Sequence, residues 1–102
     1  MLDHLNLASF IPLLNTVFRL DPAEGEPFDV ELVEVTDKTP DWSDGEQFSL
    51  IFRGPLEHPL QQRIYEMDHP ALGAFGLFLV PVARRKSGFL YEAVFNRITL
   101  PE

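Results

Sequence analysis

Apolar and polar residues alternate along most of this chain in short runs, a spacing that is typical of β-strands with one buried face. The pattern predicts six strands, separated by segments rich in Pro, Gly, Asp or Asn. They cover residues 16–20, 28–36, 48–53, 63–68, 74–82 and 89–96. The fifth run is apolar at nearly every position, so we expect both of its faces to be covered.

The second predicted strand, FDVELVEVT at residues 28–36, changes its buried phase midway. Phe28 and Leu32 lie in one phase, whereas Val33 and Val35 lie in the other. A β-bulge near Leu32 would return the apolar side chains to one face, and a strand that passes between two packing layers would give the same pattern. Either device suits a small, strongly curved barrel.

A short helix is predicted over residues 7–14, where Asp3 or Asn6 could cap its first turn. Pro12 is acceptable only near a helix start, so the helix should have one or two turns. We expect it to plug one end of a barrel or to cover a sheet edge.

The connections between the predicted strands are short, which favours antiparallel neighbours. The chain of 102 residues is long enough for a single domain with its own core. The expected fold class is therefore mainly β: a six-stranded antiparallel meander that forms a small barrel or sandwich, with a short N-terminal helix.

The composition of the chain argues against several classes of function. The formal net charge of −8 repels phosphate backbones, so we expect no nucleic-acid partner. The absence of Cys excludes disulfides, a thiol nucleophile and cysteine-ligated metals. The longest apolar run, residues 74–83, is too short to span a membrane, and no signal peptide is visible. We therefore expect a cytoplasmic protein with no membrane partner.

The longest irregular stretch, DKTPDWSDGEQ at residues 37–47, carries four acids that are weak candidates for calcium ligands. They are Asp37, Asp41, Asp44 and Glu46. Their spacing does not match an EF-hand loop, and the alternative is a solvated acidic loop. Trp42 lies among them, either as an exposed binding anchor or folded back over the barrel mouth.

The one basic cluster, Arg84, Arg85 and Lys86, lies in a predicted tight turn that ends at Gly88. Three cations fall short of the usual nucleic-acid patch, but they could meet an acidic partner or the acidic surface of another copy. The alternative is a turn whose charges serve only solubility. We find no catalytic constellation and expect neither enzymatic activity nor a cofactor.

Several segments resemble a family of small uncharacterised bacterial domains of about this length. They are FRGP at 52–55, HPALG at 69–73, LFLVPV at 77–82 and YEAVFN at 91–96. The resemblance covers almost the whole chain. It implies no agreed activity or catalytic residue, and it associates the family with neighbours that are similar to phage-tail collar proteins.

These observations favour a non-enzymatic interaction or assembly domain, with a protein partner or self-association. The acidic loop (37–46) and the basic cluster (84–86) would suit head-to-tail contact between copies. We expect such a domain to be an accessory of a phage-tail-like or surface structure. The alternative is a module for a small ligand, a sugar or calcium, whose barrel mouth is lined by Trp42 and other aromatic residues.

Overall fold

A computed structural model describes residues 5–97, which form a closed six-stranded antiparallel barrel with a short helix at the N-terminal side. The mainly β fold class and the barrel are thus confirmed. The elements are α1 (Leu7–Phe10), a 3-10 helix (Ile11–Leu13), β1 (Val17–Asp21), β2 (Phe28–Asp37), β3 (Glu46–Gly54), β4 (Arg63–His69), β5 (Gly73–Arg85) and β6 (Gly88–Arg97).

The strands run around the barrel in the order β1-β2-β3-β6-β5-β4, and β4 closes the ring by pairing with β1. This order departs from a sequential meander at one connection. Residues 55–62 cross the end of the barrel, so β4 pairs with β1 and not with β3. The first four strands therefore form a Greek key. Buried Leu60 fixes this crossover, because its N–H donates a 3.0 Å hydrogen bond to the Tyr91 hydroxyl on β6.

The N-terminal segment closes one end of the barrel, which is the first of the two roles expected for it. Asn6 caps α1, and its side chain accepts a hydrogen bond from the Ser9 N–H. The predicted single helix divides at Phe10, because Pro12 lies in the first turn of a separate 3-10 helix. The other proposed cap, Asp3, lies outside the described residues. No helix within residues 5–97 is long and apolar enough to cross a membrane.

Phe10 is the side chain that fills this end of the barrel. It is fully buried, and its ring centroid lies 5.5 Å from that of Phe95, 6.1 Å from that of Phe48 and 6.3 Å from that of Phe75. The mouth at this end is therefore occupied by the protein's own core. We call it the plugged end.

The phase change in β2 is a β-bulge, because the register with β3 shifts between Leu32 and Glu34. The bulge keeps Leu32 and Val30 inside the barrel while Val35 packs partly against the core. The sequence allowed either a bulge or a strand that passes between two packing layers, and the structure has the bulge.

The expectation that both faces of β5 are covered is wrong. The inward residues Leu77 and Leu79 are buried, but Phe78 between them is 47% exposed and Val82 is 48% exposed. A single-layer barrel buries only its inner face, and no helix covers β5 in the described chain. The run contains apolar residues in both phases, but its side chains from Phe75 to Leu79 still alternate between the buried inner face and the outer face, as in an ordinary strand.

Candidate interaction surfaces

The loop that joins β2 to β3 is held in place by its own hydrogen bonds. The Lys38 N–H donates to the Gln47 carbonyl at 2.7 Å, and the Thr39 hydroxyl accepts from the Gln47 N–H at 3.0 Å. Farther out, the Ser43 N–H donates to the Pro40 carbonyl at 3.1 Å and closes a turn. These bonds fix the loop's shape at its base and at its tip.

Trp42 lies inside the turn from Pro40 to Ser43 and is 57% exposed. It does not cover the barrel mouth, which Phe10 fills. Of the two arrangements that the sequence leaves open, the structure has the exposed one.

The four carboxylates of the acidic loop do not converge. Glu46 accepts the Leu7 N–H at 3.2 Å and so anchors α1 to β3. Asp37 accepts the Thr39 N–H at 3.0 Å; this bond, together with the Thr39 hydroxyl, holds the pKa of Asp37 below its ordinary value. No group of three or more His, Asp or Glu side chains within residues 5–97 is placed to hold a metal ion.

Asp41 and Asp44, which flank Trp42, form no ion pair with another described residue. Asp41 and Asp44 are both exposed. The tip of the loop therefore exposes an indole and two carboxylates, and the carboxylates have no cationic partner within residues 5–97.

The basic cluster occupies a different local structure from the one predicted. Arg84 and Arg85 are the last residues of β5, and only Lys86 and Ser87 form the turn. Gly88 follows at φ +144°, and a Cβ there would overlap the Gly54 carbonyl oxygen, so only glycine lets this hairpin pack on β3. The hairpin is consequently tight and firmly placed.

All three cations of the cluster are exposed, and none forms an ion pair within residues 5–97. The Arg84 guanidinium carbon lies 5.9 Å from the centroid of the Phe89 ring, a cation–π geometry. Arg85 donates only a long hydrogen bond of 3.4 Å, to the Arg84 carbonyl. The cluster is thus a cationic tip whose charges are not neutralised within the described chain.

The acidic loop and the basic cluster lie at opposite ends of the barrel. β3 pairs with β6 from Glu46–Arg97 at the plugged end to Gly54–Phe89 at the other end. The acidic loop leads into Glu46, whereas the basic turn leads into Gly88 beside Phe89. At about 3.3 Å per residue, the strand separates these ends by roughly 25 Å.

Two adjoining cavities lie at the basic end, between the β1–β2 loop and the crossover. Their volumes are about 370 and 270 Å³, and both are lined by Pro22, Glu24, Pro59 and Leu60. The His58 ring stacks on Phe28 in the smaller one, with centroids 5.0 Å apart. Trp42 lines neither of these two cavities.

Sequence reasoning missed an apolar surface on the outer wall of the barrel. Ile64 on β4 is 63% exposed and pairs directly with Phe78 on β5, and Val94 on β6 is also exposed. The only sequence signal was that both phases of these strands contain apolar residues, and this pattern also fits a buried strand.

No curated protein and no solved structure shows significant similarity to the chain. One family model does match it, over residues 5–95, and is described as a domain of unknown function, DUF6916. The match covers nearly all of the barrel and supports the resemblance to a small uncharacterised domain family. The chain therefore belongs to the DUF6916 family.

Proposed function

We propose that this domain is a non-enzymatic interaction module that assembles head to tail with copies of itself. The observation that carries the proposal is the position of two oppositely charged surfaces at opposite ends of one closed barrel. Neither surface is neutralised by ion pairs within residues 5–97. The acidic loop of one copy is thus electrostatically suited to the basic cluster of a second copy.

A contact between two different ends of identical chains is heterologous, and it produces a ring if the rotation closes or a filament if it does not. Repeated head-to-tail contact of this kind is consistent with the phage-tail neighbours implied by the family resemblance. An accessory role in a phage-tail-like or surface structure, assembled in the cytoplasm, is the specific form of this proposal. The acidic net charge disfavours a nucleic-acid partner.

The experiment is a charge exchange followed by light scattering after size-exclusion chromatography. The wild-type mass should rise with protein concentration and fall at about 0.5 M salt, where exposed charges are screened within a few ångströms. Arg84→Glu, Arg85→Glu and Lys86→Glu together should leave a monomer, as should Asp41→Lys with Asp44→Lys. The chain that carries all five substitutions should associate again, because its two ends are complementary once more.

The matched control is Glu66→Lys with Asp68→Lys on the outer face of β4, which changes the net charge by the same amount as the acidic-loop variant. This control should keep the wild-type mass. A wild type that stays monomeric at every concentration would overturn the proposal, and so would a five-fold variant that fails to recover.

A small-ligand module remains the second candidate, and the two cavities at the basic end are what favours it. Their volumes approach the range of known ligand pockets. A monomeric wild type whose melting temperature rises on addition of a sugar would support this function instead, because a ligand that binds only the folded state stabilises it.

A further inference from the structure

Trp42 is presented as a preformed anchor. The hydrogen bonds from Lys38 to Gln47 and from Ser43 to Pro40 hold the turn that carries it, and the Gly45 N–H donates to the Ser43 hydroxyl at 2.9 Å. An exposed aromatic side chain on a fixed turn loses little conformational entropy on binding. Large, rigid aromatic side chains of this kind are the commonest hot spots of protein interfaces.

The residues next to Trp42 indicate which chemical group a binding partner would present. Asp41 precedes Trp42 in the sequence, Asp44 follows it by two residues, and neither forms an ion pair within residues 5–97. An indole face attracts cations through its quadrupole, and neighbouring carboxylates add to that attraction. The site suits a cation with an apolar or planar body.

The basic cluster contains one side chain of this kind that is not already engaged. Arg84 lies over the Phe89 ring, and Lys86 carries a compact, strongly hydrated ammonium. Arg85 has a planar guanidinium, is exposed, and is bound only by the 3.4 Å hydrogen bond to the Arg84 carbonyl. The hairpin behind it is fixed by the packing of Gly88 against Gly54.

We propose that Trp42 of one copy receives the guanidinium of Arg85 from the next copy, with Asp41 and Asp44 pairing with the remaining cations of the cluster. This inference rests on the proposed head-to-tail assembly and names the contact on which it depends. A planar guanidinium can stack on the indole and leave both carboxylates open to the other two cations of the cluster. The receiving residues are Asp41, Trp42 and Asp44, which lie close together in the sequence. The indole can stack on a guanidinium, and each carboxylate can pair with a cation.

The chain contains a single Trp, so intrinsic fluorescence reports on this site alone. The mass and the Trp emission should be recorded on the same wild-type samples over a concentration series. As the mass rises, the emission should shift to shorter wavelength, because the half-exposed indole loses water contact. About 0.5 M salt should reverse both changes together.

Four single substitutions separate the specific contact from general attraction. Arg85→Glu and Lys86→Glu change the net charge equally, but Arg85→Glu should weaken association roughly tenfold more. Arg85→Lys keeps the charge and loses the planar group, so its association should fall between those of the wild type and Arg85→Glu. Trp42→Ala should prevent association at these concentrations while the melting temperature stays near that of the wild type, since the side chain is more than half exposed.

The outcomes distinguish this inference from the function on which it rests. If the mass rises without any shift in Trp emission, or if Arg85→Glu and Lys86→Glu weaken association equally, the contact is wrong although head-to-tail assembly stands. If the wild type remains monomeric throughout, the assembly and the contact are both wrong.

Discussion

His69 links three segments at the plugged end of the barrel. Its Nδ1 atom accepts the Ala71 N–H at 3.0 Å, and its Nε2 atom lies 3.0 Å from the Thr16 hydroxyl oxygen. Thr16 has one hydroxyl proton and donates it to the Leu13 carbonyl at 2.6 Å. His69 is therefore the neutral tautomer with its proton on Nε2, and the Thr16 hydroxyl is a structural group.

Replacing His69 by Leu should lower the free energy of unfolding by about 0.5–1.5 kcal/mol, because the Ala71 N–H loses its acceptor at a partly buried site. His69→Asn should recover part of that loss, since an Asn oxygen can accept from the N–H two residues later, as in an Asx turn. The measurement is urea unfolding, read as the midpoint at an unchanged slope. Equal losses in the two variants would show that the bond to Ala71 contributes little.

Trp42 shows what a sequence can and cannot establish for a single residue. An acidic loop with one aromatic residue was evident from the composition of residues 37–47. Whether the indole was exposed depended on Phe10, which is 32 positions away in the sequence and fills the mouth that Trp42 would otherwise cover. The local sequence pattern around Trp42 carries no information about a side chain as distant as Phe10. The sequence is therefore compatible with an exposed indole and with one that covers the barrel mouth.

Among the elements, the N-terminal segment contributes to stability mainly through one side chain. Phe10 is fully buried against three other Phe rings, whereas Ile11, the next residue, is 55% exposed. Phe10→Ala should lower the free energy of unfolding by about 3–5 kcal/mol, because it leaves a cavity at the plugged end. Ile11→Ala should change it by less than about 0.5 kcal/mol.

Chemical denaturation of the two variants provides the measurement, and Ile11→Ala is the control for changing the segment itself. A loss below about 1 kcal/mol for Phe10→Ala would show that the barrel core closes without the segment. In that case α1 would be a surface attachment, and the buried position of Phe10 would not be a main source of stability.

The strands differ in how well the sequence predicted them, and the reason is the chemistry of the outer face. In β6 the outward positions include Glu92 and Asn96, so the alternation is clear in the sequence and marks Tyr91, Ala93 and Phe95 as the inner residues, which the structure buries. In β5 the outward positions include Phe78, and the two phases could not be told apart. Periodicity identifies a buried face only when the opposite face is polar.

At the scale of the whole molecule, the sequence predicted a barrel or a sandwich but not the strand order. Short connections favour neighbouring strands, and most of the pairs follow that rule. The exception is the connection over residues 55–62, whose path is set by the bond from Leu60 to Tyr91 and the burial of Leu60. These residues lie 31 positions apart, so the crossover is a tertiary feature with no local sequence signal.

The crossover is tied down by the only two tyrosines in the chain. Tyr91 accepts the Leu60 N–H, and the Tyr65 hydroxyl donates to the Gln61 carbonyl at 2.6 Å. Burial raises the pKa of Tyr91 above its ordinary value of 10.0, and the Leu60 N–H offsets part of that rise. Burial likewise raises the pKa of Tyr65, with Arg63 acting in the opposite direction. Both phenols therefore keep their protons longer in the folded chain than in the unfolded chain.

The stability of the whole barrel should consequently fall in alkaline solution. As the pH rises past about 10, the unfolded chain loses phenolic protons that the folded chain retains, so the free energy of unfolding decreases with pH. This contribution is fully present below that pH and disappears as the pH approaches the raised folded-state pKa values. Urea midpoints measured from about pH 8 to pH 11 should show the decline, and they should show it less in Tyr65→Phe with Tyr91→Phe, which has no phenol. If this double variant loses stability as steeply as the wild type, the alkaline transition belongs to other groups, and the two tyrosines tie the crossover only through their neutral hydrogen bonds.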